Sequence, residues 1–173
     1  IKNTINGNGT VRDALLDEAG ALEEGKADIL GLYMVEQLRD KGEITDGELM
    51  DNYVTFMASV FRSVRFGASD AHGRANMLRF NFFMEEGAMV RDAATGTYRV
   101  DKEKMHEAIA DLSALILKLQ GDGDLVALRA LMAKDGSIKP ELQKDLDRLK
   151  AANIPVDVTF EQGLDVLGLP AAR

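Results

Sequence analysis

The stretch from Gly20 to Lys41 constrains the chain most, because Leu22, Ile29, Leu30, Leu32, Tyr33, Met34, Val35 and Leu38 fall within it. At about 100° per residue these side chains fall around almost the whole circumference of a helix, and a helix apolar on every side has to be enclosed by others. A central helix of this kind implies a mainly α-helical, multi-helix bundle-like domain. Its longest apolar run, Ile29 to Val35, is far short of the about 20 residues that cross a bilayer, and no signal-peptide pattern precedes it. No membrane partner is expected, and the chain reads as soluble, with the cytoplasm favoured.

The helices that would enclose it are marked by local chemistry. Thr10 can cap a helix from Val11 toward Glu18. Thr45 and Asp46 can cap another, in which Leu49, Tyr53, Phe56, Met57, Val60, Phe61 and Val64 follow three-four spacing up to Gly67. Ser69 and Asp70 open a fourth that ends near Gly87, and its Met77, Phe80, Phe82, Phe83 and Met84 read as core. Asp101 begins a further helix with Met105, Ile109, Leu112, Leu115, Ile116 and Leu119 facing inward, before a Gly121-Asp122-Gly123-Asp124 loop. Leu125 to Ala133 and Pro140 to Ala151 complete the helical set, Pro140 suiting a first turn. The period changes at Met89 to Arg91 and Thr97 to Val100, which predict a small antiparallel β-hairpin. Val156, Val158 and Phe160 alternate in the same way and predict a late strand that joins it.

With 173 residues, 46% hydrophobic and 29% charged, residues 1–173 suit a single domain able to bury about 70% of its unfolded surface. Cysteine is absent, which removes thiolate zinc sites and cysteine nucleophiles, and the only histidines are His72 and His106. Twenty-nine acidic against twenty-one basic residues give a net charge of −8 without a basic, aromatic-interleaved stripe, so nucleic acid is not an expected partner. The polar, glycine-dotted opening from Ile1 to Thr10 reads like the interior of a longer protein.

Glu24 and Asp28 stand four residues apart, about 40° around the predicted central helix. Two carboxylates so placed repel each other, and burial would add a desolvation penalty, so cations, hydrogen-bond donors or a metal should face them. The same spacing also suits an acidic patch paired with Lys26 and arginines. The wider string Leu22-Glu23-Glu24-Gly25-Lys26-Ala27-Asp28 resembles the EExxAD/E signature of dipeptidyl peptidase III-like zinc metallopeptidases. Downstream, Ala71-His72-Gly73-Arg74-Ala75-Asn76, leading to Glu86-Gly87, resembles the histidine-bearing helix of that family.

The resemblance implies that Glu24 is the third zinc ligand, that Glu23 and Asp28 orient the two ligand histidines, and that His72 donates to the developing oxyanion. Arg74 would hold substrate or position His72, although the family's arginine further along this helix meets Asn76 here. The family's HExxGH segment, source of two zinc histidines and the general-base glutamate, does not occur; the His106-Glu107 pair has Ala110 where a second histidine would stand. The expectation is therefore a C-terminal part of a zinc peptidase whose zinc and peptide substrate belong to the full-length protein, completed by the N-terminal remainder of the same polypeptide, and inactive in isolation. The alternative is a non-catalytic helical interaction or regulatory module, a pseudo-peptidase whose acidic helix only pairs with basic residues. No GxSxG elbow, phosphate-binding glycine loop or Nudix-type run of glutamates is present.

Overall fold

Thr10 opens the helical part as its chemistry predicts, its hydroxyl accepting from the Asp13 N–H ahead of α1 (Val11–Leu15). In the computed structural model, which describes residues 1–7, 9–164 and 166–169, α1 stops at Leu15 rather than reaching Glu18. Leu16 takes φ 50°, a left-handed backbone that no α-helix continues through, and a 3-10 turn (Leu16–Glu18) follows. Helix α2 (Ala19–Asp40) then runs as the long central element. Glu48 begins α3 (Leu49–Val64), later than Thr45 or Asp46, because the Asp51 carboxylate reaches back to accept from the Glu48 N–H at 3.0 Å.

Asp70 caps α4 (Ala71–Glu85) by accepting from the Gly73 N–H at 2.6 Å. The turn at Gly87 leads into β1 (Met89–Arg91), which pairs antiparallel with β2 (Tyr98–Val100) in the register Met89 to Val100 and Arg91 to Tyr98. Asp101 caps α5 (Lys102–Asp122), which extends through Gly121 and Asp122 before Gly123 terminates it. Only Gly123 and Asp124 form the connection expected of all four residues. Asp124 caps α6 (Leu125–Asp135) through the Ala127 N–H, and Pro140 starts α7 (Pro140–Ala151). The mainly α-helical architecture with a small antiparallel sheet is the one that the periodicity predicts.

Helix α2 lies between α4 and α5, with α3 beside it, and Leu22, Ile29, Tyr53, Leu78, Leu112 and Ile116 are fully enclosed where they meet. Its enclosure is incomplete, against expectation. Gly31 and Met34 are exposed, nothing lies within 4 Å of where a Gly31 side chain would start, and Ala27 shares their face. A strip of small and apolar residues therefore stays open along α2.

The late strand does not form either. Val156, Val158 and Phe160 are exposed and carry no ladder, because the chain leaving α7 follows the end of α3 instead of the hairpin. The Arg65 guanidinium donates to the carbonyls of Ile154 and Pro155, and Arg62 pairs with Asp157 at 2.9 Å. Among the described residues, no helix is long and apolar enough to cross a membrane.

Candidate functional site

The site residues are brought together by a close crossing of α2 and α4. A Cβ on Gly20 would touch Ala71 at 3.8 Å and one on Gly25 would touch Ala75 at 3.7 Å, so small residues on both helices let the backbones approach. Contacts climb both helices together, from Gly20 with Ala71 to Asp28 with Arg79, so α2 and α4 run parallel. Acidic side chains from α2 and the turn before it consequently meet basic side chains of α4.

Glu24 Oε2 lies 3.4 Å from His72 Nε2, beyond the usual range of a hydrogen bond, and the two side chains are 42% and 68% exposed. The imidazole is near the carboxylate without being committed to it. Asp28 Oδ2 receives Arg79 Nη2 at 2.7 Å, and Arg79 itself is only 2% exposed. Glu23 accepts from Lys26 at 2.7 Å and from the Gln120 amide at 2.6 Å. The Lys26 bond, reinforced by Gln120, holds the Glu23 carboxyl below its ordinary range. Arg74 turns to the buried Glu18, 2.8 Å away, so its guanidinium fastens the 3-10 turn to α4.

Arg79 was invisible to motif reasoning, although a lone charge in the apolar run from Met77 to Phe83 is a signal in itself. Burial pushes the guanidinium below its ordinary value, and Asp28 and then Glu24 pull it back. Its Nη2 also donates to Asn76 Oδ1, whose amide donates onward to Ser63 Oγ at 2.9 Å, and its charge lies 5.6 Å from the Phe56 ring centroid. Arg79 Nε and Nη1 are buried without an acceptor among the described residues. His106, the other histidine, lies elsewhere, with Nδ1 3.4 Å from the buried Glu36.

Among the described residues, no group of three or more histidine and carboxylate side chains is placed to hold a metal. One reachable carboxylate with an imidazole beside it is a partial donor set. It falls short of the three protein ligands that a catalytic zinc uses.

No protein-family model matches the chain. It is 39% identical over 150 residues to "Nudix hydrolase 3" of Arabidopsis thaliana, spanning 87% of this chain and 19% of that protein. Among solved structures, dipeptidyl peptidase III from Caldithrix abyssi superimposes with a TM-score of 0.85 at 33% identity, over 91% of this chain and 30% of that one. Dipeptidyl-peptidase III from Corallococcus sp. strain EGB gives 0.82 at 40% identity, over 91% and 29%. The chain thus spans about a fifth of the curated relative and under a third of either structure, and its fold is that of a portion of the dipeptidyl peptidase III structures.

Proposed function

We propose that this chain is the C-terminal portion of a zinc-dependent metallopeptidase similar to dipeptidyl peptidase III, and that it supplies one zinc ligand and one transition-state donor to a site completed by the rest of the polypeptide. The observation that carries this reading is the meeting of Glu24 and His72, from two different helices, beside the open strip of α2. The strip of Ala27, Gly31 and Met34 gives the ligand histidines a surface on which to arrive. Nudix chemistry is not proposed for these residues, because the chain has no Nudix-type run of glutamates.

In this reading Glu24 holds the metal, and Glu23 and Asp28 accept from the outer N–H groups of the two ligand histidines, fixing their rings. Bound zinc supplies a Lewis acid for the scissile carbonyl and lowers the pKa of its water. His72 Nε2 donates a hydrogen bond to the carbonyl oxygen as it gains negative charge, the kind of contact that strengthens only in the transition state. Arg74, tied to Glu18, keeps the first turn of α4 in place beneath His72. The peptide substrate binds where the two parts of the polypeptide meet.

The test uses the full-length protein. Glu24→Ala should remove zinc and peptidase activity together, whereas His72→Ala should retain zinc and lower turnover by roughly 10²–10³, the scale of one lost oxyanion donor. Metal analysis and steady-state kinetics distinguish the two. Zinc retained at full occupancy by Glu24→Ala, or a full-length protein that binds no zinc, would leave the non-catalytic module as the correct reading.

A further inference from the structure

A cleft of about 570 Å³ opens between α3, the hairpin and α7, within the size range of small-molecule sites. Its walls are apolar: Ala58 and Phe61 on α3, Leu149 on α7, and Ala152 and Ile154 just beyond that helix. Phe61 meets Tyr98 of β2 edge to face, ring centroids 4.8 Å apart, which makes one wall a packed aromatic pair. The far rim is held by its backbone, since Arg65 donates to the carbonyls of Ile154 and Pro155.

One end of the cleft is polar, and its hydrogen bonds can be counted. Asp145, 7% exposed, accepts from Arg91 Nε and Nη2, from the Tyr98 hydroxyl and from Arg148 Nη1. Four donors on two carboxylate oxygens fill the sites such a group has and leave none over for a ligand's N–H or O–H. Arg148 is the reverse case. Its side chain is 60% exposed, and its other hydrogen-bond contacts among the described residues, to the carbonyls of Gly96 and Thr95, are 3.5 and 3.4 Å long, beyond the usual range. Gly96, at φ 67°, admits the guanidinium there: a Cβ would stand 2.1 Å from Arg148 Nη1 and 3.0 Å from Arg91 Nη2. Two cations thus converge on the turn, one spent on Asp145 and the other with donors to spare, and a full charge outweighs the neutral carbonyls beside it.

We infer that this cleft binds a small amphipathic carboxylate, an alkyl or aryl acid whose apolar body lies on Phe61 and Leu149 and whose carboxylate meets the Arg148 guanidinium. The planar fork of arginine matches a carboxylate in shape as well as in charge. An amine or alcohol with the same body would bring its donors to a saturated Asp145, so the site discriminates by head group. Every side chain it uses belongs to this chain, and no metal enters it.

The chain is titrated with octanoate, octanol and octylammonium, which share one alkyl body, and its amide shifts are followed by two-dimensional NMR. Octanoate should bind saturably and shift the amides of Phe61, Gly96, Leu149 and Ala152. Its affinity should exceed that of octanol by about 3- to 10-fold, the scale of one partly exposed charge-assisted contact, and that of octylammonium by more. Arg148→Met should remove this preference and leave octanol binding unchanged. Ala58→Trp, at an exposed position of α3, should fill the cleft and abolish the binding of both. Thermal midpoints of the variants separate loss of the site from loss of the fold, and if Arg148→Met does not fold, Arg148→Gln, which can keep a donor on Asp145, answers the same question. Octanol or octylammonium binding as tightly as octanoate, octanoate shifts confined to other surfaces, the absence of any saturable shift, or a preference that survives Arg148→Met would each overturn the inference.

Discussion

At Glu36, 1% exposed on α2, a carboxylate lies among apolar side chains with the Tyr53 hydroxyl donating to Oε1 and His106 3.4 Å from Oε2. Burial pushes its carboxyl above the ordinary range, against the opposing pull of Tyr53 and His106. Asp145 is the opposite case: the Arg91 fork, with bonds of 2.7 and 2.9 Å, holds its carboxyl well below that range, helped by Tyr98 and Arg148. The signs follow from proton linkage. For Glu36 the folded state binds more protons than the unfolded, so its contribution is complete below the unfolded pKa and is lost as pH rises through the folded value. For Asp145 the contribution is present above the unfolded pKa and is lost as pH falls. Thermal midpoints measured between about pH 3 and 7, where carboxyls titrate, should therefore rise more steeply with pH for Glu36→Gln and more gently for Asp145→Asn than for the parent chain. Tyr53→Phe should cost about 1–3 kcal/mol, because it strips a buried carboxylate of its donor.

Between elements, the crossing of α2 and α4 decides the geometry of the site. Gly25→Ala should be tolerated, since its methyl group would meet Ala75 and Ile116 at ordinary contact distance, 3.7 Å, and alanine favours a helix. Gly25→Leu should cost about 1–3 kcal/mol by overpacking and move Glu24 away from His72. Gly73 is different. A Cβ there would lie 2.4 Å from the Ala68 Cα and 2.8 Å from the Gly67 carbonyl oxygen, so the loop before α4 packs directly on the residue between His72 and Arg74. Gly73→Ala should therefore destabilise the chain despite alanine's helix preference, and denaturant unfolding of the two alanine variants gives the contrast. This level also marks how far the sequence could be read. Thr10, Asp70, Asp101, Asp124 and Pro140 announce their helices because capping is decided within a few residues. The alternation at Val156, Val158 and Phe160 misleads because a strand needs a partner, and Arg62 and Arg65 lead that segment elsewhere. Glu24 and His72 were each singled out by the family resemblance, and that they lie near each other follows only from the crossing. That the acidic face would pair with Lys26 and arginines was legible too, but which arginines it meets, Arg79 for Asp28 and Arg74 for Glu18, was not, since each pair joins segments far apart in the sequence and depends on the parallel crossing.

At the scale of the whole molecule, the described residues bring one carboxylate and one imidazole together without a third donor. The isolated chain should bind zinc only weakly and substoichiometrically, because Glu24 with one imidazole falls short of three protein ligands. Metal analysis after dialysis against zinc tests this, and nanomolar affinity would contradict it. The parallel crossing of α2 and α4 has a mechanical consequence. Glu18 with Arg74 and Asp28 with Arg79 mesh like teeth along one seam on either side of Glu24 and His72, so sliding either helix by a turn would unmesh both at once. The spacing between the Glu24 carboxylate and the His72 imidazole is thereby set by the pairs on either side of it, as a fixed anvil is set by its block.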